Sequence, residues 1–388
     1  MFKIHCINNI AKIGTDRLGE GYSFVDEVAC ADAVMVRSAN LHEIEMPATL
    51  LAIARAGAGV NNIPLDTCAQ MGIAVFNTPG ANANAVKEMT IAGLLLASRD
   101  IVGSIEWVRT HSDDPDIAKK VEKVKKNYAG TELGGKTIGV IGLGAIGAQV
   151  ANTCRQMGMK VMGYDPYLSV SAAWSLDRHI VHVSKLSDIL AEADYITLHV
   201  PVIAATKGML GAEEIAAMKD GVIIVNYARD LLIDEIALSA ALQKGHVRRY
   251  VTDFANSVST QMPNAIITTH LGASTRESED NCAVMAADEL KDFLENGNIA
   301  NSVNFGHVDL GPKNGHPRIC VFNRNVPNMI GQVTNTISEA DLNIENMANK
   351  ASGDVAYTLL ELSGGIIDRI LIDRLNAIDG IIRTRVIG

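Results

Sequence analysis

The chain has 388 residues, 48% of them hydrophobic and 20% charged, and a formal charge of −10. That length exceeds one ordinary hydrophobic core, so two or three domains are expected, in a folded globular chain rather than a disordered one. The acidic surplus leaves no basic field for nucleic-acid phosphates, and no uninterrupted apolar run is long enough to span a bilayer. Neither a nucleic-acid nor a membrane partner is expected. The opening MFKIHCINNI lacks the apolar core of a secretion signal. Six scattered cysteines (Cys6, Cys30, Cys68, Cys154, Cys282, Cys320) form no CxxC pair. They read as small buried apolar residues in a reducing, cytoplasmic compartment, and no metal site is expected.

Along residues 1–96, short apolar runs at Ala33–Val36 and Ile73–Phe76 alternate with turn and helix patterns, an α/β rhythm. Ile91–Ser98 reads as part of a long buried helix, and the charged stretch His111–Lys126 as a solvated helix or loop. The densest signal follows. Lys136–Ile141 is an apolar strand, Gly142-x-Gly144-x-x-Gly147 turns it into a helix, and a second strand, Lys160–Tyr164, ends in Asp165. Gly142 permits the tight turn, Gly144 lets backbone approach a pyrophosphate, and Gly147 allows close helix–strand packing. The helix start then offers free N–H groups and a positive dipole end to phosphate. A carboxylate at Asp165 accepts hydrogen bonds from a ribose diol and repels a 2′-phosphate, so NAD is expected rather than NADP.

Further strands are expected at Tyr195–Val200, Val222–Asn226, Tyr250–Thr252 and Ala265–Thr268, with helices at Lys207–Met218 and Glu235–Lys244 between them. Such alternation implies a parallel, doubly wound sheet that holds ligands at the carboxyl ends of its strands. A helix at Arg276–Asn296 returns the chain towards the N-terminal domain. Gly306–Pro317 reads as a linker. Beyond it, strands at Arg318–Asn323, Ile344–Lys350, Ala356–Leu362 and Ile381–Val386, with helices at Gly331–Ala340 and Ile366–Ala377, spell βαββαβ, a ferredoxin-like order. No glycine loop or nucleophile constellation appears there, so the module reads as binding or regulatory. The expected fold is α/β: two Rossmann-like doubly wound parallel-sheet domains (1–96 with 283–305, and 97–282), a linker at 306–316, and the ferredoxin-like module at 317–388.

Two residues stand where such a sheet presents its chemistry. Val222–Asn226 runs into Arg229, and Ala265–Thr268 runs into His270. Hydride transfer at an oxygen-bearing carbon needs a group to move the proton, and histidine titrates near working pH. A planar guanidinium can hold a carboxylate bidentately. An arginine beside Asp230 also fits a surface ion pair, and a histidine before a glycine turn also fits a structural role; the residues alone leave both open.

Several segments follow one another in the order found in the D-2-hydroxyacid dehydrogenase family: Arg55-Ala-Gly-Ala-Gly-Val-Asn-Asn62, Phe76-Asn-Thr-Pro79, Glu132-Leu-Gly-Gly-Lys136, the glycine loop, His199-Val-Pro201, Asn226-Tyr-Ala-Arg229 and His270-Leu-Gly-Ala-Ser-Thr275. The chain resembles that family over nearly its whole length. Val36-Arg37-Ser38-Ala39 resembles the branch that acts on a phosphorylated glycerate. The resemblance implies NAD-dependent oxidation of 3-phospho-D-glycerate to 3-phosphohydroxypyruvate, the first step of L-serine synthesis, by a homodimer or homotetramer. It implies that Arg229 orients the substrate and His270 is the acid/base. Ala145 and Ile146 would line the pyrophosphate with Gly142, Gly144 and Gly147, and Asp165 would hold the ribose. Tyr227 and Ala228 would flank the nicotinamide, Asp253 would meet its carboxamide, and Gly272 and Ala273 would complete the cofactor site. Arg37, Ser38 and Arg55 would meet the small anionic substrate. The last 70 or so residues resemble the ACT domain of many such enzymes, which implies an L-serine effector held by Asn325 and Asn343 between paired modules.

The chain also departs from the family. Between Phe254 and Arg276 there is no Asp or Glu to pair with the histidine, and Asp230 stands where glycine is usual. Either Asp253 doubles as the partner of His270 or the histidine works without a carboxylate. In the terminal module, Asn323 replaces the usual histidine and Asn328 the usual glycine. Two other functions stay open: a dehydrogenase for another small D-2-hydroxy acid, and an NAD-sensing binding protein on the same fold.

Overall fold

The computed structural model describes residues 1–388, the side chain of Ser171 excepted. Two compact units emerge: Met1–Asn82 with Arg276–Gly388, and Ala83–Thr275. The expected boundaries at 96/97 and 282/283 fall inside continuous helices, Ala83–Ser98 and Arg276–Asn296.

In the first unit, β1 (Phe2–Ile7), β2 (Tyr22–Phe24), β3 (Ala33–Val36), β4 (Ala52–Arg55) and β5 (Ala74–Phe76) form a parallel sheet ordered β2-β1-β3-β4-β5. Every residue of β3 and β5 is buried. Continuous apolar strands of that kind belong to a parallel sheet covered on both faces. One cover is the helix Arg276–Asn296, whose Cys282, Ala283, Ala286, Ala287, Leu290, Phe293 and Leu294 are buried.

The second unit is a seven-stranded parallel sheet. Its strands are β6 (Thr137–Ile141), β7 (Lys160–Tyr164), β8 (Val181–His182), β9 (Tyr195–Leu198), β10 (Val222–Asn226), β11 (Val247–Thr252) and β12 (Ala265–Ile267), ordered β12-β11-β10-β9-β6-β7-β8. The order reverses direction beside β6, the strand that carries the glycine loop. A crevice at the carboxyl ends arises at such a reversal. The expected helix at Lys207–Met218 shrinks to Ala212–Ala216. Gly208 sits at a φ of +64°, and Leu210 bridges Ile233 in parallel, so this stretch runs alongside a neighbour rather than coiling.

The last strands, β13 (Arg318–Arg324), β14 (Leu342–Ser352), β15 (Val355–Gly364) and β16 (Ile381–Ile387), form an antiparallel sheet ordered β14-β15-β13-β16. Two helices, Met329–Ser338 and Arg369–Asn376, pack on one face over Ile319, Val321, Leu360 and Leu362. From the other face, Cys320, Phe322, Tyr357 and Leu359 enter the core of the first unit beside Phe293 and Phe305. The stretch 306–316, expected to be a linker, is tied down. Val308 is buried and bridges Ile299, and the carbonyls of Leu310, Gly311 and Pro312 accept from the Arg318 guanidinium. Arg318, fully buried, also pairs with Glu361 at 2.8 Å. Cys30 departs from the expectation of buried cysteines: it is exposed, at the end of a surface turn.

Candidate active site

The glycine loop leaves β6 at Gly142, whose φ of +89° only glycine adopts without strain. A Cβ there would also lie 2.5 Å from the carbonyl oxygen of His199. Gly144 is the N-cap of the helix Ala145–Gln156 and supplies no side-chain cap, so the first N–H groups, those of Ala145, Ile146 and Gly147, stay available to an anion. A Cβ on Gly144 would meet no protein atom within 4 Å, whereas one on Gly147 would strike the Gly142 carbonyl. Gly147 is thus required by packing, and Gly144 leaves room on the side a ligand would approach. Asp165, at the end of β7, accepts the N–H of Leu143 (2.9 Å) and of Tyr167 (2.9 Å). Oδ2 thus fixes the glycine loop and Oδ1 the turn after β7, and a second lone pair on each oxygen remains for hydroxyl groups. His199 backs the same loop; burial pushes its imidazole down to about 3, so it is a neutral partner of Thr197.

One strand beyond β9 in the same sheet, β10 ends in Asn226, fully buried, whose side chain shapes the next turn. Its Oδ1 accepts the N–H groups of Ala228 (3.0 Å) and Arg229 (3.3 Å), and its Nδ2 donates to the Arg229 carbonyl (2.8 Å). Tyr227 is buried with an unpartnered hydroxyl, and burial pushes its pKa up, with Asp253 adding to the shift. Arg229 is half-buried, donates to the Ala228 carbonyl (2.6 Å) and lies over the ring of Phe254, 5.8 Å from its centroid. Among the described residues Arg229 forms no ion pair, with Asp230 or any other acid. Phe254 also touches His270, with ring centroids 4.8 Å apart and the rings tilted by 53°. Phe254 therefore contacts both the guanidinium and the imidazole, a position that sequence reasoning missed. An aromatic two residues past a buried strand reads as core, and no motif distinguishes it.

His270 is exposed, and among the described residues no carboxylate hydrogen-bonds its ring. Asp253 is turned elsewhere: its Oδ2 accepts the N–H of Gly272 at 2.7 Å. Burial raises its pKa, an effect opposed by that N–H and by the charge of His270. Its Oδ1 is buried without a partner. An orphaned acceptor of that kind costs about 1–3 kcal/mol, and an amide N–H of a bound group would satisfy it. Ala273, half-buried, follows Gly272 on the same turn.

The predicted substrate residues all lie in the first unit. Arg37 and Ser38 follow β3, where Asn8, at a φ of +74°, accepts the N–H groups of Ser38 (3.0 Å) and Ala39 (2.8 Å). Arg55 ends β4, and its Nε donates to the Arg37 carbonyl at 2.9 Å while Nη1 reaches the carbonyl of Gly59. Arg37 itself donates to Glu279 at 2.6 Å. In the terminal module, Asn325 donates to the Gly353 carbonyl (3.0 Å) and lines a cavity of about 150 Å³ with Asn323, Asn328 and Asn349. Asn343 is apart from it on β14, bonded to Glu345 at 2.8 Å.

Residues 91–272 match the model of the D-isomer specific 2-hydroxyacid dehydrogenase NAD-binding domain. Residues 91–272 belong to the D-isomer specific 2-hydroxyacid dehydrogenase family. The D-3-phosphoglycerate dehydrogenase of Mycobacterium tuberculosis is 38% identical over 285 residues, which are 71% of this chain and 52% of that one. The chain thus spans about half the length of that relative. An NAD+-bound 3-phosphoglycerate dehydrogenase of Entamoeba histolytica superposes with a TM-score of 0.62 at 28% identity, over 78% of this chain and 98% of that one. A glyoxylate reductase from Paecilomyes thermophila superposes with a TM-score of 0.63 at 25% identity, over 78% and 98%. Among the described residues no helix is long and apolar enough to cross a membrane.

Proposed function

We propose that the chain oxidises 3-phospho-D-glycerate to 3-phosphohydroxypyruvate with NAD. The observation that carries this reading is the Arg229–Phe254–His270 contact row, on the same sheet as the glycine loop. Arg229 follows β10, Phe254 β11 and His270 β12, three successive strands of one parallel sheet, which supports a carboxylate anchor and a proton acceptor at the carboxyl ends of that sheet. NAD, when bound, would supply the acceptor for the hydride that leaves C2 of the substrate. Gly142, Gly144, Ala145, Ile146 and Gly147 hold its pyrophosphate, and Asp165 its ribose. The buried Asp253 Oδ1 and the Tyr227–Ala228 turn meet its nicotinamide end, with Gly272 and Ala273 alongside. Arg229 holds the substrate carboxylate, and the His270 imidazole takes the proton from the C2 hydroxyl as the hydride leaves. Since Asp253 faces Gly272, the histidine works without a hydrogen-bonded carboxylate. Arg37, Ser38 and Arg55 hold the phosphate.

The phosphate assignment rests on Arg37 and Arg55 and on the relative's name, and a panel tests it. NADH formation is followed with phosphoglycerate, D-glycerate and D-lactate. A preference for phosphoglycerate of tenfold or more in kcat/KM is expected, and a preference for an unphosphorylated acid supports the second reading, to which the glyoxylate reductase likeness points. The terminal βαββαβ module is read as an ACT-like domain at 317–388, with L-serine as its effector. Asn325 holds the amino acid in one copy and Asn343 in a second, within a homodimer or homotetramer. The amide-rich cavity at Asn325 supports this; serine that changes neither activity nor melting temperature at millimolar concentration removes it.

A further inference from the structure

The two arginines assigned to the substrate differ in one respect. Arg55 is locked to backbone carbonyls, those of Arg37 and Gly59, whereas Arg37 spends its charge on a carboxylate, Glu279, at 2.6 Å. Glu279 lies in the first turn of the helix Arg276–Asn296. An acid there has a local reason, the positive end of the helix dipole, yet its carboxylate reaches across to β3 instead. The two side chains are 41% and 42% exposed. An ion pair that open to solvent is worth little, so an arriving anion can break it.

We infer that Glu279 restrains the binding of a phosphorylated substrate at Arg37 and so narrows its lead over unphosphorylated acids. It occupies Arg37 in the free protein, and a phosphate must displace it while facing its negative charge. A doubly charged phosphate feels that repulsion fully; a substrate without one does not compete for Arg37 at all. A repulsive group of this kind sets specificity by raising one substrate's cost more than another's. The inference deepens the proposed function and rests on its placement of Arg37 at the phosphate.

Glu279→Gln keeps a hydrogen-bond acceptor for Arg37 and removes the charge at a half-exposed helix start, where folding is little at risk. The KM for phosphoglycerate is expected to fall about fivefold, the upper scale of a half-exposed pair, and the KM for D-glycerate to stay level; the effect falls on KM rather than on kcat. Inorganic phosphate is expected to raise the melting temperature of the variant more than that of the parent, by mass action. Parallel changes in both KM values, or equal protection of parent and variant by phosphate, overturn the inference. A parent protein that reduces no NAD with phosphoglycerate overturns the proposed function instead, and the phosphate-protection comparison still decides the role of Glu279.

Discussion

At the scale of single residues, Arg229 and His270 carry the strongest expectations. Arg229→Gln removes a charge-assisted contact and should cost at least about 3 kcal/mol in kcat/KM, with little change in NAD affinity. His270→Asn should lower kcat by at least about a hundredfold; steady-state kinetics with equilibrium NAD binding measures both. Asp165→Ser should weaken NAD binding and narrow its lead over NADP, measured by titrating each cofactor. The loss has two sources, the ribose acceptor and the Leu143 N–H tie that holds the glycine loop. The places of these residues at strand ends and on the glycine loop were legible in the sequence; the roles given to Arg229 and His270 rest on the family resemblance. Phe254 and Asn226 were not given roles beforehand. Nothing in a buried asparagine's neighbours reveals that it will bond two N–H groups and a carbonyl of one turn. Asn325 and Asn343 were read as a pair, yet within one chain they make separate bonds.

At the scale of elements, the helix Arg276–Asn296 was legible to the residue, since it opens on acids and closes before a glycine at a φ of +77°. Its interior hides Glu289. That side chain is buried, bonds Asn301 at 2.6 Å through Oε1 and leaves Oε2 unpartnered. Burial lifts its pKa from 4.5 to about 7. The folded protein therefore holds this proton where the unfolded chain has released it. Stability from this group is fully present below about pH 4.5, falls as pH rises towards 7, and then levels off. The loss is on the order of 3 kcal/mol. Glu289→Gln should raise the melting temperature at pH 8 and flatten its decline between pH 5 and about 7, followed by thermal melts across pH. The Lys207–Met218 stretch was misread because its apolar spacing suits a helix. Gly208 and Gly211 cut that helix short, and a bridge to Ile233 takes up the backbone of Leu210 instead.

At the scale of the whole chain, the strand–helix alternation and the βαββαβ order of the last module were legible, and the attachment of that module was not. Gly, Pro and polar residues at 306–316 signal a linker, but a buried arginine forty-three positions before its acid partner gives no local sign of gathering that loop's carbonyls. Other groups act alike at the end of Arg276–Asn296. Arg385 donates to the carbonyls of Phe293 (3.0 Å) and Leu294, Arg318 to that of Asn296 (2.9 Å), and Tyr357 to that of Gly297 (2.6 Å). The terminal sheet thus caps a helix of the first unit and fills its core. A chain ended at residue 316 should lose that cap, expose Phe293 and Phe305, and aggregate, as light scattering during a thermal ramp would record.

Because the first unit is assembled from both ends of the chain, it inherits a timing problem during synthesis. The continuous stretch 83–275 holds every strand of its own sheet by residue 267 and can fold as soon as it clears the ribosome. Residues 1–82 emerge earlier, yet their core waits for the helix at 276–296 and for β16. For the time needed to make the intervening residues, at roughly 5–20 per second, one face of their sheet has no cover, although residues 31–75 pack against the other. That interval is where a chaperone would be needed, and a codon change that slows translation between residues 83 and 296 should harm the yield of this protein more than one placed before residue 83.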